Sequence, residues 1–247
     1  MISGRMRRVV CLAAGGVVIA AAVGPPLHEP AEELFALHMV QHLLLVIVAA
    51  PLLGAGLPGF ELLTWLPLRP RHVAARWLRR TRRLLSLTRI DKGYPVIAWV
   101  LHVAILWVWH VPVLYEAALR SAVFHALEHV SLLASATAFW AVVARPHGRR
   151  ALGVTGRLLY LFTAAGQSTA LGALLTLTNH PAYPIHAATA PRWGLTALDD
   201  QHLAGLVMWV LGGLGYLLAA LLTVVRTIRE AEAPRNPASA IRAEVRR

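Results

Sequence analysis

Of the 247 residues, 57% are hydrophobic and only 15% charged, with a mean hydropathy of +0.57. Soluble domains carry charge on roughly a quarter of their residues, so this composition excludes a disordered chain, a disulfide-stapled secreted fold and an ordinary cytosolic enzyme. The basic excess is 24 Lys and Arg against 12 Asp and Glu, a net +12, with Cys11 the sole cysteine; one thiol excludes an internal disulfide or a Cys-x-x-Cys clip.

A bilayer core of roughly 30 Å needs about 20 apolar residues per helix. Six stretches meet that length or come close: 9–24, 34–54, 94–112, 122–144, 156–178 and 203–225. Their apolar runs are continuous, not alternating, which argues against β-structure. The predicted fold is all-α: a polytopic membrane helix bundle of about six transmembrane helices, forming one domain over 1–230. The first span, after Arg7-Arg8 and before Gly24-Pro25-Pro26, also has the make-up of a signal peptide. The basic connection 55–93 is the longest, and within 69–89 Val73, Trp77 and Leu84 fall at helical spacing among arginines. That pattern predicts a helix lying on anionic membrane lipids at the cytoplasmic face. The tail 231–247, with Pro234 and Pro237, is predicted to be disordered.

The arginines orient the chain. The N-terminus, the 55–93 and 145–157 connections and the C-terminal tail together hold 22 of the Lys and Arg residues, and the other connections only Arg120 and Arg192. Basic residues stay on the cytoplasmic side, so both termini are expected there. The charge is thus an orientation signal, and no nucleic-acid partner is expected.

Nine of the twelve histidines fall at or near the opposite, outer face: His28, His38, His42, His110, His125, His129, His180, His186 and His202. His102 lies near mid-membrane, while His72 and His147 are cytoplasmic. Two segments stand out, His38-Met-Val-Gln-His42 and His125-Ala-Leu-Glu-His129. Spacing of i,i+4 puts both rings on one helix face, about 6 Å apart along the axis. Both helices run inward from the outer face, so the pairs and Glu128 lie at matched depth, and His110 ends a helix rising to the same level. Charged groups at the bilayer centre cost roughly 2.5–3.5 kcal/mol each, so these residues should face one another. A metal or haem site is one outcome, and a purely structural polar network is the other.

Imidazoles suit copper, zinc, iron or nickel, and Met39 and Met208 are available as soft ligands. Bis-imidazole haem ligation between two helices is open to the same residues. His-x-x-Glu-His also matches an inverted zinc-protease signature, but proteolysis needs a third ligand and a water position. Gln167-Ser168-Thr169 reads as helix packing, as do Gly212, Gly213 and Gly215. Asp199-Asp200 before the last span either attracts a cation or caps that helix.

Three segments then resemble the CtaG-type multi-span membrane family of cytochrome c oxidase assembly factors. They are His38-Met-Val-Gln-His42 with Ala50-Pro51-Leu52-Leu53 and Pro58; Trp109-His110-Val-Pro112 with Tyr115, His125-Ala-Leu-Glu-His129 and Phe139-Trp140; and Asp200-Gln201 with Gly205, Met208-Trp209 and Gly212-Gly213. Tyr183-Pro184 also fits the family's outer loop. The chain departs from the family at His202, where Gln is commoner, and at Leu211, where Pro is, and reads as six spans instead of the usual seven.

The resemblance implies a multi-pass protein of the bacterial inner membrane, needed to mature a haem–copper oxidase at its copper step, with an oxidase subunit as partner. It marks His38, His42, His110, His125, Glu128 and His129 as the characteristic polar positions. The expected activity is copper binding and transfer, not catalysis. Copper would sit on His38, His42, His125 and His129, with His110 and Glu128 nearby and Glu128 balancing charge or orienting a ring. A haem-binding membrane cytochrome and a metal-free assembly scaffold are the alternatives. The topology predicts that alkaline phosphatase fused after Ala188 is active and that a fusion after Arg149 is not; the reverse pattern would invert the bundle.

Overall fold

Inside lipid every backbone polar group needs an internal partner, so long apolar runs fold as helices. The computed structural model describes residues 4–56, 88–144 and 151–232, and these are predominantly helical with no strand. The elements are α1 (Gly4–Val23), α2 (Pro25–Glu33), α3 (Phe35–Gly56), α4 (Thr88–Trp109), α5 (Pro112–Arg120), α6 (Ala122–Ala144), α7 (Val154–Leu177) and α8 (Ala197–Glu232). Among the described residues α1, α3, α6, α7 and α8 are each long and apolar enough to cross a membrane, and α4 with α5, bent by 75°, adds a sixth where the pair counts as one span. Each predicted span coincides with one of these.

Several boundaries differ from expectation for local reasons. The 94–112 run stops at Trp109, because Pro112 cannot continue a helix and instead begins α5. α2 was not expected. Its first residues are Pro25 and Pro26, whose fixed φ suits a helix start. It ends at Leu34, which is extended, so α3 starts in a new direction. α8 runs to Glu232. The arginine-rich 69–89 segment, His72, His147 and residues 233–247 of the tail lie outside the described residues.

The entry to α3 is secured from afar. The Phe35 N–H donates to Asp200 Oδ2 at 2.7 Å and the Ala36 N–H to Oδ1 at 2.9 Å. Two donors left open at a helix start thereby meet a fully buried carboxylate from α8. Asp199 caps its own helix through a capping box with Thr196. The acidic pair is thus two caps for two helices.

Backbones approach closely where glycines permit. A Cβ on Gly172 would lie 2.8 Å from the Gly205 carbonyl oxygen, and one on Gly54 would lie 2.8 Å from the Ala141 nitrogen. Helices α7 and α8, and α3 and α6, therefore cross in near backbone contact. Gly215 fits against Ile47, whereas Gly213 meets nothing within 4 Å. Helix α3 widens to π geometry over Leu44–Ala49, and α8 does so over Val207–Gly212. In the first, Trp140 Nε1–H donates to the Val46 carbonyl at 2.8 Å. Such π turns re-aim side chains within one helix.

The α1 helix lies along α3, with Gln41 Nε2 donating to the Ala22 carbonyl at 2.8 Å. Deeper in the bundle Tyr216, Phe139, Trp140 and Tyr160 form an aromatic core. His102 joins it, pairing Nε2 with the Tyr216 hydroxyl at 2.9 Å. The Trp107 indole N–H donates to Gln167 Oε1 at 3.1 Å, so that amide bonds across helices.

Removing the Asp200 cap has a calculable cost, since hydrogen bonds to a charged acceptor contribute about 1.5–3 kcal/mol each. Asp200→Ala is expected to destabilise the bundle by about 2–4 kcal/mol, and Asp200→Asn, which keeps one acceptor oxygen, by roughly half that. Thermal unfolding in detergent measures both, and an unchanged midpoint for Asp200→Ala would refute the cap's importance.

Candidate metal centre

Helices α3 and α6 each present an i,i+4 histidine pair, and their Gly54–Ala141 crossing brings those faces together. Ligand atoms of His38, His42, Glu128 and His129 all lie within 4.8 Å of one another. Glu128 and His38 are wholly buried. His38 Nε2 stands 3.6 Å from Glu128 Oε2, and His42 Nε2 stands 3.6 Å from Oε1. The His38 and His42 rings are 4.4 Å apart, and the His42 and His129 rings 5.4 Å.

These separations decide what the group can do. A hydrogen bond between such atoms would close to about 2.7–3.2 Å. Two ligands on one tetrahedral ion with bonds of about 2.0–2.1 Å stand about 3.4 Å apart. The observed 3.6 Å fits the second arrangement. Among the described residues His38 Nε2, both ring nitrogens of His42, both Glu128 oxygens and His129 Nε2 are buried without a hydrogen-bond partner. Leaving such groups unmade costs about 1–3 kcal/mol each, and a cation at their common point satisfies several at once. Three imidazoles and a carboxylate form a donor set suited to a divalent copper or zinc ion.

The structure divides the six expected residues. His38, His42, His129 and Glu128 converge, with Glu128 between the rings of α3 and not behind them. His125 belongs one step outward, its ligand atom grouped with those of His28 and Glu32. Its ring stacks on His38 at 5.4 Å and lies 4.4 Å from His129. His110 is not in either group. Its Nδ1–H donates to the Leu106 carbonyl at 2.7 Å, which leaves Nε2 facing Met39 Sδ at 3.4 Å. Met39 is also packed in the apolar core, and Met208 with it. His110, His42, His102 and Met208 line one small internal cavity.

Two further outer histidines, His186 and His202, serve the scaffold. His186 pairs Nδ1 with the Glu33 carbonyl at 3.2 Å and Nε2 with the Tyr115 hydroxyl at 2.9 Å. A carbonyl only accepts, so Nδ1 carries the proton and the tyrosine donates to Nε2. Burial holds His186 below the usual imidazole range, which keeps this neutral tautomer. Tyr183 donates to the His110 carbonyl at 2.8 Å, and His202 meets the Thr178 carbonyl at 2.9 Å. Neither His186 nor His202 has a ligand atom in the two groups. His28 and Glu32 were missed as site residues. Their own i,i+4 spacing after Pro25-Pro26 was the available signal, and it requires α2 to be recognised as a helix.

Residues 3–230 match the family model for the cytochrome c oxidase caa3 assembly factor. An uncharacterized protein of Mycobacterium bovis and one of Mycobacterium tuberculosis are each 25% identical over 229 residues, covering 90% of this chain and 34% of the relative. The chain thus spans about a third of the length of these curated relatives. No solved structure matches.

An ion bound only by the folded chain adds stability, about 2.7 kcal/mol at a hundredfold excess over its dissociation constant. Added Cu2+ is therefore expected to raise the thermal midpoint of the purified protein, and a chelator to reverse the rise. His42→Ala with His129→Ala should remove the response seen at low copper concentration. A midpoint indifferent to metal would leave the convergent atoms as a structural network.

Proposed function

The chain belongs to the family of cytochrome c oxidase caa3 assembly factors, and from that premise we propose that it holds copper and passes it to an oxidase subunit. The observation that carries this reading is the set of buried, unpartnered ligand atoms on His38, His42, Glu128 and His129 around one point. Copper is the cargo a haem–copper oxidase needs and one that imidazoles take readily. Neutral rings supply the lone pairs. The Glu128 carboxylate offsets the ion's charge where water does not reach, which limits the desolvation cost of a cation in the membrane. The protein binds and hands over the ion and performs no catalysis.

Release is built into the donor set. There is no thiolate at the group, and Cys11 lies on α1 near the arginine-bearing end. Imidazole and carboxylate ligands exchange more readily with an incoming acceptor than thiolates do toward soft copper. The site stands near the outer face of a bacterial inner membrane when oriented by the arginine bias. Crowding favours a bare ion over haem. The His38, His42, His125 and His129 rings lie 4.4–6.0 Å from their neighbours, which leaves no slot for a porphyrin between them. Anionic lipids under the basic 55–93 connection would anchor the opposite face.

The test is oxidase copper content in a strain whose only copy carries His38→Ala and His42→Ala. Oxidase from that strain is expected to lose most of its copper and activity while its subunits remain in the membrane, with partial rescue by excess copper in the medium. Oxidase of normal copper content and activity would overturn the transfer role.

A further inference from the structure

We propose that His28, Glu32 and His125 form a second, outward metal-binding station through which the cation reaches and leaves the buried group. This rests on reading the buried group as a metal centre. The ligand atoms of His28, Glu32 and His125 lie within 4.8 Å of one another. His28 Nε2 is 3.5 Å from Glu32 Oε1, again longer than a good hydrogen bond and close to a ligand–ligand separation. His28 Nδ1 and His125 Nε2 are buried and without a hydrogen-bond partner. His125 as a whole is 8% exposed. The three residues come from two elements, α2 and α6, so the group exists only because α2 brings His28 and Glu32 beside His125.

The position gives the station its role. It lines an open cavity of about 300 Å³ that also reaches His129 of the buried group. Side-chain exposure falls along one path: 56% at Glu32, 38% at His28, then 7% at His42 and none at Glu128. His125 stands between the stations, its ring nearly parallel to His28 at 5.5 Å and to His38 at 5.4 Å. The cavity also contains Arg120, whose guanidinium is engaged by Glu116 at 2.6 Å. That ion pair offsets the positive charge of Arg120 beside the route.

Two imidazoles and one carboxylate leave coordination positions open, so a bound ion keeps water or a donor's ligand. The buried group offers four ligand atoms, three of them on buried residues, and meets the cavity only at His129. The ion can therefore enter on Glu32 and His28, and pivot on His125. It would then exchange the outer ligands one at a time for His129 and His38. No step changes an oxidation state, each ligand bond broken is replaced by another, and any proton held by the empty ligand set leaves to solvent as the ion binds. Export to an acceptor would run the same sequence in reverse.

The test uses the full chain in detergent with Cu2+ as the probe, followed by elemental analysis after removal of free ion and by the rate of copper uptake. Wild type is expected to hold one tightly bound copper and a second bound at least tenfold more weakly. His28→Ala with Glu32→Gln should lose the weak copper, fill the tight site to the same final level, and fill it at least tenfold more slowly. The milder pair His28→Gln with Glu32→Gln guards against a folding defect and should behave alike. His38→Ala with His42→Ala should lose the tight copper and keep the weak one. A single copper whose amount and uptake rate ignore His28 and Glu32 would overturn the outward station alone. Copper lost with His28 and Glu32 yet kept without His38 and His42 would overturn the buried centre and leave the outward site. No copper in wild type would overturn both.

Discussion

Glu128 is a carboxylate with no exposure inside a membrane bundle, and the neighbouring structure is organised around accommodating it. Its oxygens have no hydrogen-bond donor, only the imidazoles of α3 at 3.6 Å. An ionic group so placed is costly unless charge and hydrogen bonding are both met. The helix that meets it, α3, must therefore arrive at one depth and one rotation. A shift of one residue along α3 turns both rings by about 100° and removes them from the carboxylate.

Several separate features fix that depth and rotation. Asp200 holds the start of α3, with both oxygens on its first backbone N–H groups. The Gly54–Ala141 approach sets the distance to α6. Trp140 takes the Val46 carbonyl in the π turn just below the histidines, which adjusts the phase of the helix there. Gln41 ties an adjoining face of the helix to α1. These are ordinary devices of membrane helix packing, and their joint effect is to aim His38 and His42 at one point.

The outer layer is held in the same manner by neutral polar pairs. His186 links the Glu33 carbonyl to Tyr115, and Thr189 donates to the same carbonyl at 2.6 Å. This fastens the end of α2, which carries His28 and Glu32, to the connection between α7 and α8. The His28–Glu32–His125 group is consequently part of a braced surface, and its open side is the cavity beside His129. The exposed Glu33 carboxylate receives Arg192 at 3.1 Å and the Trp193 indole at 2.8 Å, a further brace at the rim.

Sequence alone determined what depends on local period and bulk partition. Apolar runs marked the helices long enough to span, arginine placement set the expected orientation, and i,i+4 spacing put each histidine pair on one helix face with Glu128 beside the second. Each of these is a property of one helix in a bilayer. Tertiary structure decided what depends on how separate helices meet. It grouped the His125 ligand atom with those of His28 and Glu32, because α2, hidden in a proline-rich connection, carries those side chains beside it. It turned His110 toward Met39, because the chain breaks before Pro112 and the ring follows the end of α4. It also gave Asp200 to a helix 165 residues away. Hydrophobic period specifies which face of a helix is buried, while the identity of the neighbour across that face is set only when all the helices pack together.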